Sequence, residues 1–154
     1  AESLHDRLAL MGRQIIGQAL DGLEDSVWEP RDQPAEGVTY CPKLVKADGR
    51  LDFSEPAAEL ERRVRALHPW PGTFTFFQGE RLKIYPPTIA VLEDVPEGES
   101  GEIVKVASES ILVRVLDGGL ELRKVQRPGR PAVDTKSFLA GHRVSEGTML
   151  GEES

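Results

Sequence analysis

Cysteine is almost missing from this chain. Cys41 is the only one in 154 residues, so no internal disulfide can staple the fold, and a reducing compartment suits it. No stretch approaches the roughly 20 apolar residues of a membrane span. No signal-peptide pattern opens the chain, and Ala1 in place of an initiator methionine points to a processed or excised piece. The three histidines, His5, His68 and His142, are far apart, and none has a cysteine or second histidine at metal-ligand spacing. No glycine-rich phosphate loop is present, since Asp117-Gly118-Gly119 reads as a hairpin turn. Cys41 stands beside a proline without a nearby base and reads as inert. Asp48 and Asp52 read as a solvated turn rather than a catalytic acid pair. These absences leave little for catalysis or for a metal.

Charge is more informative. The net charge of −7 argues weakly against nucleic acid, but its distribution does not. Residues 1–40 carry eight acids and three bases, and residues 92–102 carry five acids and no base. Residues 123–143 carry six bases against Asp134 alone, and residues 41–70 carry six bases and five acids. Basic charge is thus concentrated in two places in an otherwise acidic chain.

The hydrophobic fraction, 39%, is low for a globular chain, yet the apolar residues are patterned. Ser3 is expected to cap a first helix ending near Asp21-Gly22, with Leu4, Leu8, Met11 and Ile15 on one stripe. Pro30 and Pro34 make the following stretch a linker, extended from Val38 to Phe53 apart from a turn at Asp48-Gly49. Ser54 is expected to cap a central helix from Glu55 to His68, with Ala57, Leu60, Val64 and Leu67 as its apolar face. Pro69 ends it, and the period then becomes two. Strands are expected at Thr73–Phe77, Arg81–Tyr85, Ile89–Leu92, Glu102–Ala107, Ile111–Leu116 and Leu120–Gln126, with Pro86-Pro87 interrupting the sheet. Asp134 can cap a last short helix, Thr135–Ala140, ended by Gly141. The architecture expected is mainly β with helices: a small, partly open OB-like barrel preceded by a detached helix and a linker.

The basic residues carry the strongest functional signal. Lys43, Lys46 and Arg50 lie on a polar extended segment, and Lys124, Arg127 and Arg130 end a strand and enter a loop. Cations at the rim of a small barrel can neutralise phosphates, although an ordinary charged surface is the blander reading. Trp70, Phe74, Phe76 and Phe77 could stack bases, but Phe74 and Phe76 share a strand face and read as core.

Thr39-Tyr40-Cys41-Pro42-Lys43-Leu44, followed by Asp48-Gly49-Arg50-Leu51-Asp52-Phe53-Ser54, resembles the interdomain segment of the methionyl-tRNA formyltransferases. The run from Ala57 through His68-Pro69-Trp70-Pro71-Gly72 is similar to the start of their C-terminal domain, and Val125 to Pro131 with Phe138-Leu139-Ala140-Gly141 resembles its end. Ser3 to Leu8 is similar to the last helix of the formyltransferase domain. Cys41, His68, Pro86-Pro87 and Arg130-Pro131 depart from the family's usual residues.

The resemblance implies residues 1–25 as the end of a catalytic domain, 26–50 as linker, 51–147 as an OB-like domain and 148–154 as a loose tail. It implies a cytoplasmic parent enzyme that moves a formyl group from 10-formyltetrahydrofolate to the methionine of initiator methionyl-tRNA. The catalytic and folate residues would lie in the N-terminal domain, so this chain alone is expected to be inactive and to hold no cofactor. Its implied part is tRNA binding by phosphate contacts, with Lys43 and Lys46 as the leading candidates, then Arg50, Lys124, Arg127 and Arg130. The implied partners are initiator tRNA and the chain's own catalytic domain, and the apolar first helix allows a dimer. The alternative is a structural domain of a sugar-nucleotide or folate formyltransferase.

Overall fold

The computed structural model describes residues 2–25, 27–29 and 31–152. Within it the chain divides into two compact units, Ala1–Lys43 and Leu44–Ser154.

The first unit is built on one helix, α1 (Glu2–Glu24), in which no residue is buried. Its apolar positions Leu4, Leu8, Met11 and Ile15 are each about half exposed. Ser3 lies inside the helix rather than capping it, and Gly22 does not end it, because one glycine near a helix end costs only about 1 kcal/mol. The helix ends two residues later, where the N–H groups of Val27 and Trp28 both donate to the Gly22 carbonyl. Pro30, expected to break structure in the linker, lies outside the described residues.

The second unit begins with a 3-10 turn, Lys46–Gly49, so the expected turn at Asp48-Gly49 is present. Helix α2 (Ala57–Ala66) follows, with Ala57, Leu60 and Val64 buried as their spacing requires. Its expected cap, Ser54, is engaged elsewhere: its N–H and hydroxyl both donate to Asp52 Oδ1, at 2.9 and 2.6 Å. The Ser54 hydroxyl, then its N–H, hold the Asp52 carboxyl below its ordinary value. Pro56 occupies the cap position without a side-chain bond. The first helical donor, Ala57 N–H, instead reaches Asp117 Oδ1 at 2.7 Å, sixty residues away in sequence.

Among the described residues, eight short strands form two antiparallel sheets. One has the order β1 (Thr73–Phe77), β2 (Glu80–Ile84), β7 (Lys124–Gln126), β8 (Val133–Asp134). The other has the order β3 (Thr88–Val91), β6 (Gly118–Leu122), β5 (Ile111–Val115), β4 (Ile103–Val106). Gln78 and Gly79 join β1 to β2 with positive φ at both, as a two-residue hairpin requires. The chain passes from the first sheet to the second at Tyr85-Pro86-Pro87, where an interruption was expected, and returns at Arg123. The single strand expected over Leu120–Gln126 is therefore two. Leu120 and Leu122 are buried, and so is Val125, so Arg123 is one residue too many for a period of two and bends the chain between sheets. Two sheets joined at such bends make the partly open barrel-like form.

Leu60 and Val64 of α2 join a core with Ile103, Val113, Leu120 and Val125. Helix α3 (Thr135–Gly141) closes the unit, and Asp134 caps it as expected, accepting from Ser137 N–H at 2.7 Å. The chain does not come loose at residue 148. Leu150 is buried in the core, Gly151 N–H donates to Phe76 O at 3.0 Å, and this short edge pairing holds Thr148 to Gly151 in place.

Two predictions follow from these caps. Asp117→Ala should lower the stability of the unit by about 1 kcal/mol, the ordinary value of a lost helix cap, read as a reduced urea midpoint at unchanged slope. An unchanged midpoint would show that water replaces the carboxylate. For Asp134, the Ser137 N–H, with its hydroxyl second, holds the carboxyl below its ordinary value. A group depressed on folding contributes stability above its unfolded pKa, about 3.9 for Asp, and loses it as pH falls through the lower folded value. The advantage of the native chain over Asp134→Asn should therefore be constant above about pH 5 and shrink below pH 4. Parallel stability curves down to pH 2 would contradict this.

Candidate nucleic-acid interface

Strand β1 is buried along its whole length, but its two faces are covered differently. Phe77 joins the main core. Phe74 and Phe76, 8% and 6% exposed, do not belong to that cluster. They lie on the other face of the sheet, ring against ring in an edge contact with centroids 5.9 Å apart. The expectation that they share a face holds; the face is the outer one.

What covers these rings is cationic. The Arg81 guanidinium lies 4.1 Å from the centroid of Phe74, and that of Arg50 lies 5.3 Å from Phe76. Pairing across the sheet puts Phe76 opposite Arg81 and Phe74 opposite Lys83, then Lys83 opposite Gln126, and Lys124 opposite Asp134. Residues directly opposite share a face. The outer face therefore presents Arg50, Arg81, Lys83 and Lys124 around two phenylalanines. Lys124 also stands 5.9 Å from the Tyr85 ring, which meets His68 edge-on at 5.8 Å.

Arg50 reaches this face because the chain before α2 runs along the edge of β1. Leu51 N–H donates to Phe74 O at 2.9 Å, and Arg50 donates to Gly151 O at 3.1 Å. The approach is close: a Cβ on Gly49 would sit 2.1 Å from the Gly72 carbonyl oxygen, so no other residue fits there.

Ion pairing sorts the remaining cations. Arg62, Arg63 and Arg65 are bound to Glu59, Glu55 and Glu61, and Arg123 and Lys136 to Glu121 and Glu109. Lys46, Arg81, Lys83, Lys124 and Arg130 have no carboxylate partner among the described residues. Of the six residues singled out from sequence, Lys46, Arg50 and Lys124 fall on or near one end of the first sheet. Lys43 closes the other unit. Arg127 is half-buried and tied to Glu80 and to His142 Nε2, the latter at 2.7 Å, so it holds the turn after β7 in place. Arg130 is exposed at the end of that turn.

Arg81 and Lys83 were not among the sequence candidates. The signal was there: in Glu80-Arg81-Leu82-Lys83-Ile84, Leu82 and Ile84 are buried, so the alternate positions project to the opposite face. No group of three acid, histidine or cysteine side chains is arranged to hold a metal among the described residues. No helix is long and apolar enough to cross a membrane among the described residues.

Residues 43–143 match the family model described as formyl transferase, C-terminal domain. The chain is 44% identical over 149 residues to a methionyl-tRNA formyltransferase of Granulibacter bethesdensis, covering 97% of this chain and 44% of that protein. It is 39% identical over 152 residues to the methionyl-tRNA formyltransferase of Geobacter sulfurreducens, covering 99% of this chain and 47% of that protein. It thus spans a little under half the length of these curated relatives. Among solved structures, HypX from Aquifex aeolicus, in complex with tetrahydrofolic acid, matches 82% of this chain and 22% of its own, with a TM-score of 0.57 and 18% identity. A variant of HypX matches 88% of this chain and 26% of its own, with a TM-score of 0.56 and 18% identity. These two likenesses concern the fold alone.

If the arginine is the cover of the outer face, Arg81→Ala should expose the Phe74 ring. A loss of about 0.5–1 kcal/mol is expected for an exposed cation–π pair, with Arg81→Lys in between. Equal stability of all three proteins in urea would mean that the ring does not depend on the guanidinium.

Proposed function

The chain belongs to the formyl transferase C-terminal domain family, and we propose that it is the tRNA-binding C-terminal part of a methionyl-tRNA formyltransferase. The observation that carries this reading is the outer face of the first sheet, where Arg50, Arg81, Lys83 and Lys124 gather in a chain whose net charge is −7. A surface that was only solvated would be expected to share the acidic excess of the whole. Lys46 and Arg130 add to the same function from beside the sheet, and Lys43 from the preceding segment.

The mechanism is electrostatic and positional. Cations on a rigid sheet bind phosphates without reading bases, and so set the register and orientation of the nucleic acid. In the parent enzyme they hold initiator methionyl-tRNA while the other half transfers the formyl group of 10-formyltetrahydrofolate to the methionine amino nitrogen. The folate is assigned to that other half as well. No catalytic step is therefore assigned to these residues, and the chain alone is expected to be inactive. The half-exposed leucines and isoleucines of α1 are assigned to packing against the catalytic domain, with a dimer through the same face as the alternative. The parent is placed in the cytoplasm with the rest of translation initiation.

The test is a titration of the intact enzyme with initiator methionyl-tRNA across a range of salt. Each phosphate contact contributes roughly 0.7–0.9 to the slope of log K against log salt. Lys43→Ala with Lys46→Ala, and separately Lys83→Ala with Lys124→Ala, should each weaken binding and flatten the slope by about 1.5. Unchanged affinity and slope in both pairs would leave the domain as a structural one, as in a sugar-nucleotide or folate formyltransferase.

A further inference from the structure

We propose that the recess between β2, β7 and the turn after β7 is a seat for one phosphate group. The proposal deepens the tRNA reading and rests on it only for the larger molecule that carries the phosphate. The recess measures about 180 Å3 and is lined by Arg81, Lys83, Gln126, Arg127, Pro128 and Gly129. Three of these six are cations and none is an acid. The nearby Glu80 carboxylate is bound by Arg127 and is not in the lining, so positive charge remains in excess.

The walls are held before any ligand arrives. Arg81 lies with its guanidinium over Phe74, an arrangement that leaves the N–H donors at the edge of the plane free to turn toward an anion. Gln126 is fixed at both ends of its amide: Oε1 accepts from the Tyr85 hydroxyl at 2.6 Å, and Nε2 donates to Arg130 O at 2.6 Å. Arg127-Pro128-Gly129-Arg130 closes as a turn, with Arg130 N–H donating to Arg127 O at 3.2 Å and Gly129 at φ +67°. Proline then glycine at the two central positions is the pattern of a type II turn. His142 accepts from Arg127 on one ring nitrogen, and its other nitrogen is 2.9 Å from Phe138 O, which anchors the turn to α3. Lys83 is exposed at the mouth as a compact charge.

Such a site suits a tetrahedral oxyanion. Several charge-assisted bonds can converge on its oxygens, and little ordering is left to be done on binding. In two other recesses of this unit cations are already bound to glutamates, Lys136 to Glu109 and Arg123 to Glu121 in one, and Arg62 to Glu59 and Arg63 to Glu55 in the other. The chemistry is shared by a phosphodiester of a nucleic acid backbone and by a free phosphate or phosphate monoester.

The experiment is an amide and arginine side-chain NMR titration of this chain, first with inorganic phosphate and then with initiator tRNA. Phosphate should move the Gln126, Arg127, Gly129 and Arg130 amides and the Arg81 Nε–H together. Lys83→Ala, an exposed position that leaves the fold alone, should weaken that response by about tenfold, the value of one charge-assisted bond. Lys105→Ala, exposed on the other sheet, should leave it unchanged. If tRNA then displaces phosphate from the same resonances, the phosphate in question belongs to the nucleic acid. If phosphate seats but tRNA does not compete, the seat stands for a free phosphate or monoester, and the tRNA reading fails at this face. Salt-dependent tRNA binding that ignores Lys83→Ala and leaves these amides unmoved would keep the tRNA reading and overturn the seat. So would phosphate shifts spread evenly over the exposed lysines.

Discussion

Two phenylalanines on the outside of a sheet have to be covered, and in this protein the cover is charged. Phe74 and Phe76 cannot join the main core, because the register that puts Thr73, Thr75 and Phe77 inward turns them outward. Arg81 and Arg50 lie over them, the two rings meet edge to face, and both residues are more than nine-tenths buried. The apolar stems of long basic side chains can shield a ring while their heads stay in water. A packing requirement of β1 thereby places positive charge on one face of the domain. Function and stability draw on the same residues there, so a substitution of Arg81 or Arg50 affects both at once.

The same strand organises the path of the chain. Its free edge is taken by Leu51 on one half and by Leu150 and Gly151 on the other. An open strand edge is a template for unwanted pairing, and covering it removes that hazard. The cover also ties the segment before α2 to the last described residues, through the bond from Arg50 to the Gly151 carbonyl. Lys46 is carried to the sheet by this route, since the 3-10 turn directly precedes the edge-pairing residues.

Local pattern made much of this legible. The stripe Ala57, Leu60, Val64 and Leu67 needs nothing beyond helical spacing, and all four positions are buried. The hairpin between β1 and β2 follows from two alternating runs around Gln78-Gly79-Glu80, of which Glu80 already belongs to β2, and the cap of α3 from Asp134 three residues before Ser137. The kinship of the chain was also legible, in the linker, the Pro-Trp-Pro-Gly turn and the basic Pro-Gly loop, and residues 43–143 match the formyl transferase C-terminal domain. Legibility failed where a side chain had a choice of partners. Ser54 looks like a cap, yet Asp52 claims its donors, and the bond to Ala57 N–H comes from Asp117 on a distant hairpin. Leu120 to Gln126 looks like one strand, and the single extra residue Arg123 sends its two halves into different sheets.

The sequence by itself determined most of the elements, the mainly β class, the family and the concentration of basic charge in an acidic chain. Those depend on neighbours within a few residues, or on motifs read in order. Only the tertiary structure decided which cations matter together. Arg62, Arg63, Arg65 and Arg123 are as basic as Arg81 and Lys83, and although Glu59 and Glu61 stand at helical spacing from Arg62 and Arg65, spacing alone does not say which cations of distant segments share a face. The fold does so, by bringing Glu55 beside Arg63, and by pairing β1 with β2 and β2 with β7 so that Arg81, Lys83 and Lys124 share a face on which the one paired acid is Asp134, the cap of α3. The physical reason is that an electrostatic site is a property of distances between side chains, and across antiparallel strands those distances are set by register rather than by position along the chain.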